Sequence, residues 1–423
     1  MDKLLIEGPA KLSGIVKISN SKNAYLPILA GVLLSSKRVR LKNLPALRDI
    51  RTMVKLLENL GVKSTPDITK ANYSFLADNI TSLEATYDLV KTMRASVLVL
   101  GPLLARYKRA KVSLPGGCAI GTRPIDIHLS CMSKLGAKVQ LEGGYVEVSA
   151  EKLIGTRIVL PFPSVGATEN VMMAAVLAQG ETVIENAAME PEIEDLGNFL
   201  IAMGVKIEGL KTSSIKVQGT TVSNLKEVEY EAIPDRIEAG TYLMAALATH
   251  SEITIENAIA SHLDCVIDTL KNMGAKLEIG KRQIKVFAST LKGVNIDTAP
   301  YPGFPTDLQA QLIALATQSN GQSIISEHIF ENRFMHVPEL NRLGAGIVLK
   351  SNAAIIPGNL QLKAAPVMCT DLRASAALAI AALAAHGTTQ MQRVYHLDRG
   401  YDGLDIKLKN LGVNISRKND SEE

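Results

Sequence analysis

Leu135-Gly136-Ala137-Lys138 is one of six copies of a short motif that recurs about every 70 residues along the 423-residue chain. The other copies are Leu60-Gly61-Val62-Lys63, Met203-Gly204-Val205-Lys206, Met273-Gly274-Ala275-Lys276, Leu343-Gly344-Ala345-Gly346 and Leu411-Gly412-Val413-Asn414. Each copy ends a segment with the apolar periodicity of an amphipathic helix, so its glycine is a candidate helix C-cap. A strand-like segment follows each copy, as in KVQLEGGYVEVS at 138–149. The motif therefore predicts six homologous units.

A second, more apolar helix is predicted upstream of each motif. Examples are ATENVMMAAVLAQG at 167–180 and DLRASAALAIAALAAHG at 371–387. These segments are hydrophobic on nearly all sides, which is typical of buried helices. With the β-rich connections between helices, the unit is predicted to be β-α-β-α-β-β. Residues 1–21 are predicted to form an extra strand pair ahead of the first unit.

The size of the unit indicates globular domains of the α/β class (α+β in some schemes). A 70-residue unit is larger than common solenoid repeats, which run to roughly 50 residues. Three units per domain give two domains of about 200 residues, within the usual range. The polar stretch from Glu227 to Pro234 is the predicted boundary between them.

Composition excludes several classes of function. The net charge of +4 is too small to favour nucleic acid binding. The N-terminus lacks the apolar run of a signal peptide, and Ala374–Ala385 is shorter than the roughly 18 residues of a membrane span. The four cysteines have no CxxC spacing, which argues against zinc or a disulfide framework and favours the cytoplasm. No nucleotide-cofactor motif is present, so neither a metal nor a cofactor is predicted.

The stretch SLPGGCAIGTRPIDIH at 113–128 is the strongest candidate for chemistry. Its glycines permit close approach of the backbone to a ligand. Cys118 is a candidate nucleophile or proton donor, and Arg123 carries a guanidinium suited to phosphate or carboxylate. The alternative is a glycine-rich surface turn with a buried, inert thiol.

Bases stand where several buried helices are predicted to begin, against the preference of a helix N-terminus for acids. The bases are Lys22 (beside Asn23), Arg94, Arg236 and Arg373, and the comparable places in the third and fifth units hold Thr168 and Asp307. If these helix N-termini converge in each domain, they form an anion site. The alternative is local pairing with acids, as in Asp235-Arg236 and Asp371-Arg373.

The turns before the second helix of the fifth and sixth units carry further bases, Arg333 and Arg399. We therefore expect bases from both halves of the chain to meet across one cleft. His128, His336 and His396 lie near these turns without metal-ligand spacing, which favours structural roles.

The chain closely resembles the enolpyruvyl transferase family, and within it the enzymes that act on UDP-N-acetylglucosamine. The motifs that carry the resemblance run in order along the chain: KNAYLPILA, YDLVKTMRAS, SLPGGCAIGTRPIDIH, PSVGATEN, ENAAMEPEIEDL, FPTDLQAQ, FENRFMHVPEL, TDLRASAAL and YHLDRGYDG. The resemblance implies two inside-out α/β barrels with the active site between them. It implies an N-terminal domain of residues 22–232 and a C-terminal domain of residues 1–21 plus 233–423.

The resemblance also implies the reaction: transfer of the enolpyruvyl group of phosphoenolpyruvate to the 3′-hydroxyl of UDP-N-acetylglucosamine, at the first committed step of peptidoglycan synthesis. Cys118 matches the family's proton donor to the methylene carbon, and Asp307 its base. Lys22, Arg123 and Arg399 match the phosphoenolpyruvate ligands. The implied sugar-nucleotide contacts are Asn23, Arg94, Arg123, Pro124, Ile125, Asp126, Ile127, Ser164, Val165, Gly166, Asp307, Ile329 and Arg333, with Asp371 and Arg373 lining the cleft.

One departure and two alternatives accompany this interpretation. The segment Leu160–Pro163 lacks the lysine that some relatives place against the diphosphate. A 5-enolpyruvylshikimate-3-phosphate synthase-like transferase has the same six-unit fold, although that relative lacks the cysteine loop. A non-catalytic protein that binds an anionic ligand is the other alternative. No protein partner is predicted.

Overall fold

The computed structural model describes residues 2–67, 70–91, 93–114 and 125–419. They divide into two compact units, which we call the first unit (residues 2–19 and 234–419) and the second unit (20–114 and 125–233). Each unit contains three four-stranded mixed sheets and two sets of helices, as the predicted α/β class requires.

In chain order, the strands are β1 (Asp2–Gly8), β2 (Ser13–Lys17), β3 (Arg38–Leu41), β4 (Lys63–Asp67), β5 (Asn72–Leu76), β6 (Glu84–Ala85), β7 (Arg109–Ser113), β8 (Lys138–Glu142), β9 (Tyr145–Ser149), β10 (Arg157–Val159), β11 (Glu181–Glu185), β12 (Lys206–Glu208), β13 (Ser214–Gln218), β14 (Val228–Tyr230), β15 (Glu252–Glu256), β16 (Lys276–Ile279), β17 (Gln283–Phe287), β18 (Asn295–Asp297), β19 (Ser323–Ser326), β20 (Val348–Lys350), β21 (Ala353–Ile356), β22 (Pro366–Met368), β23 (Gly387–Gln392) and β24 (Ile415–Asn419). The helices are α1 (Lys22–Gly31), α2 (Arg48–Leu60), α3 (Tyr87–Val90), α4 (Leu100–Tyr107), α5 (Asp126–Lys134), α6 (Val165–Ala175), α7 (Pro191–Ala202), α8 (Arg236–Ala248), α9 (Asp264–Met273), α10 (Gln309–Ala316), α11 (Val337–Arg342), α12 (Leu372–Ala384) and α13 (Leu404–Asn410). Short 3-10 helices at Arg94–Val99, Thr306–Leu308 and Val394–Arg399 complete the elements near the predicted site residues.

The six-fold repeat is confirmed by the backbone at the motif glycines. Gly61, Gly136, Gly204, Gly274, Gly344 and Gly412 all have left-handed φ angles, between 89° and 107°. A strand follows each of these glycines, as predicted. Glycine suits the end of a helix because a side chain in the left-handed region clashes with the backbone.

Residues 1–21 form the two predicted strands, but the prediction that these strands pair with each other is wrong. Both strands form, but β1 lies between β23 and β24, antiparallel to each, and β2 runs parallel to β15. The N-terminal segment therefore supplies one strand to the sheet of the sixth repeat and another strand to the sheet of the fourth repeat. A strand pattern alone does not specify a partner, because partners separated by hundreds of residues are chosen by the topology.

The polar stretch at residues 227–234 also contains an element that the sequence did not predict. Its strand β14 runs parallel to β3 and completes the sheet of the first repeat. The chain passes from the second unit to the first after Ile233.

The apolar helices are buried, as predicted. In the first unit α8, α10 and α12 pack against one another, and every residue of α10 is buried. Their alanine-rich sides permit close approach. The sheets place alternate residues against the helices, as Ile253 and Ile255 of β15 do. Helices inside and sheets outside make each unit an inside-out α/β barrel.

We expect Gly61→Ala to lower the thermal unfolding midpoint more than Gly136→Ala, which lies at the same repeat position in the same unit. Both variants incur the left-handed penalty of roughly 1–2 kcal/mol. Only at Gly61 does a Cβ also come within 2.7 Å of the Asn79 carbonyl oxygen, whereas at Gly136 the nearest atom is 3.5 Å away. Calorimetry of the two purified variants measures the difference, and equal midpoints would contradict this explanation.

Candidate active site

Asp307 is held between two arginines in the first unit. Its Oδ1 accepts a hydrogen bond from Arg333 Nη2 at 2.8 Å, and its Oδ2 accepts one from Arg373 Nη2 at 2.9 Å. The arginine side chains are only 4% and 5% exposed, whereas that of Asp307 is 29% exposed. The carboxylate is therefore fixed by buried cations from within the unit and is reachable from solvent.

This cluster joins the N-terminal ends of α10 and α12, so two of the predicted helix starts do converge. Asp307 lies in the 3-10 helix that precedes α10, and Arg373 is the second residue of α12. Burial acts to lower the pKa of Arg373, but the negative charge of Asp307, its hydrogen bond and the effects of Tyr401 and Asp235 together outweigh burial, and the pKa is raised. Arg373 therefore stays charged in its buried position.

The alternative in which Asp371 pairs with the guanidinium of Arg373 is wrong, because the guanidinium binds Asp307. Asp371 is the N-cap of α12, and its Oδ1 accepts from the backbone N–H groups of Arg373 and Ala374. Asp235 caps α8 in the same way, while the Arg236 guanidinium lies 5.6 Å from the centre of the Tyr301 ring. Asp371 and Asp235 therefore accept hydrogen bonds from backbone N–H groups at the starts of their helices. The Arg373 guanidinium is then available to bind Asp307.

Glu327, which the sequence did not single out, organises the loop that carries Ile329. Its Oε1 accepts hydrogen bonds from the backbone N–H groups of Ile329 and Phe330, at 2.7 and 3.1 Å. Its Oε2 accepts from the hydroxyl of Thr306, the residue before Asp307, at 2.8 Å. One buried carboxylate thus links two segments with predicted substrate contacts.

Arg399 and Arg333 occupy the turns that the repeat pattern predicts. Arg399 ends the 3-10 helix between β23 and α13, and Arg333 follows β19 and precedes α11. His336 is buried, which lowers its pKa to about 4. It is therefore neutral near pH 7, in keeping with a structural role.

In the second unit, Lys22 begins α1 and pairs with an acid on a different helix. Its Nζ lies 3.2 Å from Oδ2 of Asp49 on α2, and both side chains are buried. Asn23 follows it and is half-buried. Ser21 caps α1 and accepts from the backbone N–H of Ala24. The base at this helix start is therefore charge-compensated from outside the helix, a partner that sequence spacing does not reveal.

His128 on α5 is fixed by Asn170 on α6. The Asn170 Oδ1 accepts from Gly101 N–H, so its amide nitrogen donates, and it lies 2.9 Å from His128 Nδ1. Burial, with the nearby charge of Arg94, lowers the His128 pKa to about 4. The neutral ring therefore accepts at Nδ1 and carries its proton on Nε2.

Gly166, at the start of α6, allows this ring to lie against the helix. A Cβ at Gly166 would come within 3.1 Å of His128 Cε1.

Other predicted contact residues of the second unit lie at the starts of α5 and α6. Ser164 is the N-cap of α6, with its Oγ accepting from Ala167 N–H, and Val165 is the first helical residue. Ile125 precedes α5, and Asp126 and Ile127 are its first residues. The second unit therefore places Arg94, the start of α5 and the start of α6 around one histidine.

Three of the predicted site residues, Cys118, Arg123 and Pro124, lie outside the described residues. Among the residues that the structure does describe, no group of three or more His, Cys, Asp and Glu side chains is arranged to hold a metal ion. In the same ranges, no helix is both long and apolar enough to cross a bilayer.

Comparisons with known proteins show the class to which this two-unit fold belongs. The family described as EPSP synthase (3-phosphoshikimate 1-carboxyvinyltransferase) matches residues 6–408. Two solved structures share the fold. The enolpyruvyl transferase NikO from Streptomyces tendae has a TM-score of 0.89 at 24% identity, covering 99% of both chains. The EPSP synthase from Acinetobacter baumannii has a TM-score of 0.77 at 17% identity, covering 99% of this chain and 100% of that one.

Curated relatives are much more similar in sequence. The UDP-N-acetylglucosamine 1-carboxyvinyltransferase of Pelagibacter ubique (strain HTCC1062) is 52% identical over 421 residues, which is 99% of this chain and 100% of that relative. The protein of the same name from Trichlorobacter lovleyi is 53% identical over 421 residues, covering 99% of both. The chain belongs to the enolpyruvyl transferase family, as its motifs predicted.

Proposed function

We propose that this chain is an enzyme that transfers the enolpyruvyl group of phosphoenolpyruvate to the 3′-hydroxyl of UDP-N-acetylglucosamine and releases phosphate. In a bacterial cell this is the first committed step of peptidoglycan synthesis, and it takes place in the cytoplasm. The observation that carries the reaction type is the Asp307 carboxylate, accessible and fixed by two buried guanidiniums. The acceptor is inferred from the full-length similarity to relatives named for it.

The reaction is an addition followed by an elimination. Asp307 takes the proton of the 3′-hydroxyl while the hydroxyl oxygen bonds to C2 of phosphoenolpyruvate, and Cys118 gives a proton to the methylene carbon. The tetrahedral intermediate then loses phosphate from C2 and a proton from the methyl carbon, which restores the double bond. No cofactor, metal or protein partner takes part.

Asp307 has the chemistry that this role needs. Each carboxylate oxygen of Asp307 accepts a hydrogen bond from one arginine, and an ionised carboxylate acts only as an acceptor, with more than one lone-pair site on each oxygen. General bases act within hydrogen-bond distance of the proton that they remove. The two guanidiniums fix the direction of the carboxylate, so less conformational freedom is lost when the acceptor binds.

The substrate anions need cations to bind. Lys22, Arg123 and Arg399 are proposed to hold the phosphate and carboxylate of phosphoenolpyruvate. The lysine ammonium attracts such anions as a point charge, and the guanidinium groups form paired hydrogen bonds to them. The remaining predicted contacts, in segments 123–127 and 164–166 and at Asn23, Arg94, Ile329 and Arg333, are assigned to the sugar nucleotide. Asp371 and Arg373 are proposed to line the cleft. Residues of both units are thus proposed to serve one reaction.

Phosphate release from phosphoenolpyruvate, measured with UDP-N-acetylglucosamine or with shikimate 3-phosphate as acceptor, tests this function. We expect turnover only with the sugar nucleotide. Turnover with shikimate 3-phosphate alone would favour the related synthase activity. Binding of anionic ligands with no phosphate released from either mixture would favour a non-catalytic protein.

Arg399 tests whether the two units act on the same substrate. We expect Arg399→Ala to weaken phosphoenolpyruvate binding, and Arg399→Lys to restore it only partly, because lysine lacks the paired donors of the guanidinium. Lys409→Ala, which removes an exposed charge from α13, is the control for the change in net charge. Titration of phosphoenolpyruvate into each variant measures the effect. Unchanged affinity in Arg399→Ala would exclude it as a ligand.

A further inference from the structure

The hydroxyl of Tyr401 is buried beside the guanidinium that holds Asp307. Arg373 donates Nη2 to Asp307 Oδ2 at 2.9 Å, and its Nη1 lies 3.4 Å from the Tyr401 hydroxyl. The Arg373 Cζ also lies 5.7 Å from the centre of the Tyr401 ring. The tyrosine therefore contacts the arginine through both its ring and its hydroxyl.

The direction of the hydrogen bonds around this hydroxyl is set by its neighbours. Thr241 donates its own hydroxyl to the Ile237 carbonyl oxygen at 2.8 Å, so it accepts the Tyr401 proton across 2.9 Å. The lone pairs of Tyr401 are then left for two donors, Arg373 Nη1 and Gln311 Nε2, the latter at 3.1 Å.

Gln311 connects the same hydroxyl to the backbone of Asp307. Its Nε2 also lies 3.0 Å from the Asp307 carbonyl oxygen. Both the side chain and the main chain of Asp307 are thus linked to Tyr401 through one intervening residue.

The turn that carries Tyr401 packs closely against α12. At Gly400, which precedes Tyr401, a Cβ would come within 2.6 Å of Leu372 Cδ2, beside Arg373 on α12. A larger residue at position 400 would therefore require the Leu372 side chain to move.

We propose that Tyr401 is a positioning residue for the reaction, which holds Arg373 and Gln311 so that the Asp307 carboxylate faces the accepting hydroxyl. This role rests on the function proposed above, because it acts through Asp307. Tyr401 is only 2% exposed, so it is proposed to act through these residues and not on a substrate. Its contribution should consequently appear in kcat, with little change in the KM of either substrate.

Tyr401→Phe is the direct test, since it removes the hydroxyl and keeps the ring over Arg373. We expect kcat to fall about tenfold, the scale of one lost hydrogen bond to a charged group, with both KM values within about twofold. The matched control is Tyr242→Phe: Tyr242 is equally buried in the first unit, and its hydroxyl has no hydrogen-bond partner among the described residues. Thermal unfolding of both variants establishes that each is folded at the assay temperature.

A double-mutant cycle with Asp307→Asn separates this role from the proposed function itself. If Tyr401 acts through Asp307, adding Tyr401→Phe to Asp307→Asn should lower kcat by less than about twofold. A full tenfold loss in that background, or a Tyr401→Phe enzyme as active as Tyr242→Phe, would overturn the positioning role while leaving the proposed function intact. A wild-type protein without transferase activity, or a fully active Asp307→Asn, would instead overturn the function or the assignment of Asp307, and the role of Tyr401 with it.

Discussion

Replacement of Asp307 by asparagine is expected to lower kcat by about 10²-fold or more, the usual scale for loss of a general base. Asparagine has nearly the same shape but does not take a proton from a hydroxyl. Steady-state phosphate release at saturating substrate measures the loss. Calorimetric titration with UDP-N-acetylglucosamine should still detect binding, since the other proposed contacts to the sugar nucleotide remain.

The charge change at Asp307 also has a structural consequence. Arg333 and Arg373 are nearly buried, and the carboxylate that compensates them is lost in the variant. A lower unfolding midpoint is therefore expected together with the lower kcat. Asp268→Asn, at an exposed position of α9, makes the same chemical change without these partners and should alter neither quantity. Near-normal turnover of a folded Asp307→Asn enzyme would remove Asp307 from the mechanism.

Cys118 is expected to be the site at which an electrophilic phosphonate inactivates the protein. The epoxide fosfomycin carries an anion like that of phosphoenolpyruvate, so the proposed cations should bind it. Arg123, five residues along the chain, is expected to favour the thiolate, which is the nucleophilic form. We expect time-dependent, complete loss of activity with one adduct per chain, and faster modification in the presence of UDP-N-acetylglucosamine.

The other cysteines are poor competitors for the reagent. Cys131 and Cys369 are 2% and 0% exposed, and burial raises the pKa of each thiol to about 11. Cys265 is half-buried, and burial raises its pKa too. These three thiols therefore hold their protons near neutral pH, where the thiolate is scarce.

Peptide mass mapping decides the site of modification. Cys118→Asp should keep part of the activity, because a carboxylic acid also donates a proton, and it should acquire no adduct. An adduct on Cys131, Cys265 or Cys369, or equal inactivation of Cys118→Asp, would show that the reactive group has been assigned to the wrong residue.

Tyr401 and Glu327 show why part of the candidate site was hidden from sequence reasoning. Both lie in or next to motifs that were recognised, YHLDRGYDG and the segment before FENRFMHVPEL. Their partners lie on other segments: Tyr401 binds Thr241, Gln311 and Arg373, and Glu327 binds Thr306. No local sequence motif marks these two side chains as part of the site. Their roles can be recognised only when the fold brings their partners together.

The sequence alone determined the repeated unit, its two kinds of helix and the glycine that ends each amphipathic one. These features depend on side-chain periodicity and backbone preference within a few residues, so they can be recognised without knowledge of distant contacts. Tertiary structure alone decided that β1 completes the last sheet and β14 the first, because the partner of a strand is set by topology across hundreds of residues. It likewise decided that Arg373 binds Asp307 rather than its neighbour Asp371. Asp371 satisfies the backbone N–H groups at the start of α12, and the buried guanidinium takes the carboxylate that the packing of α10 against α12 brings within reach.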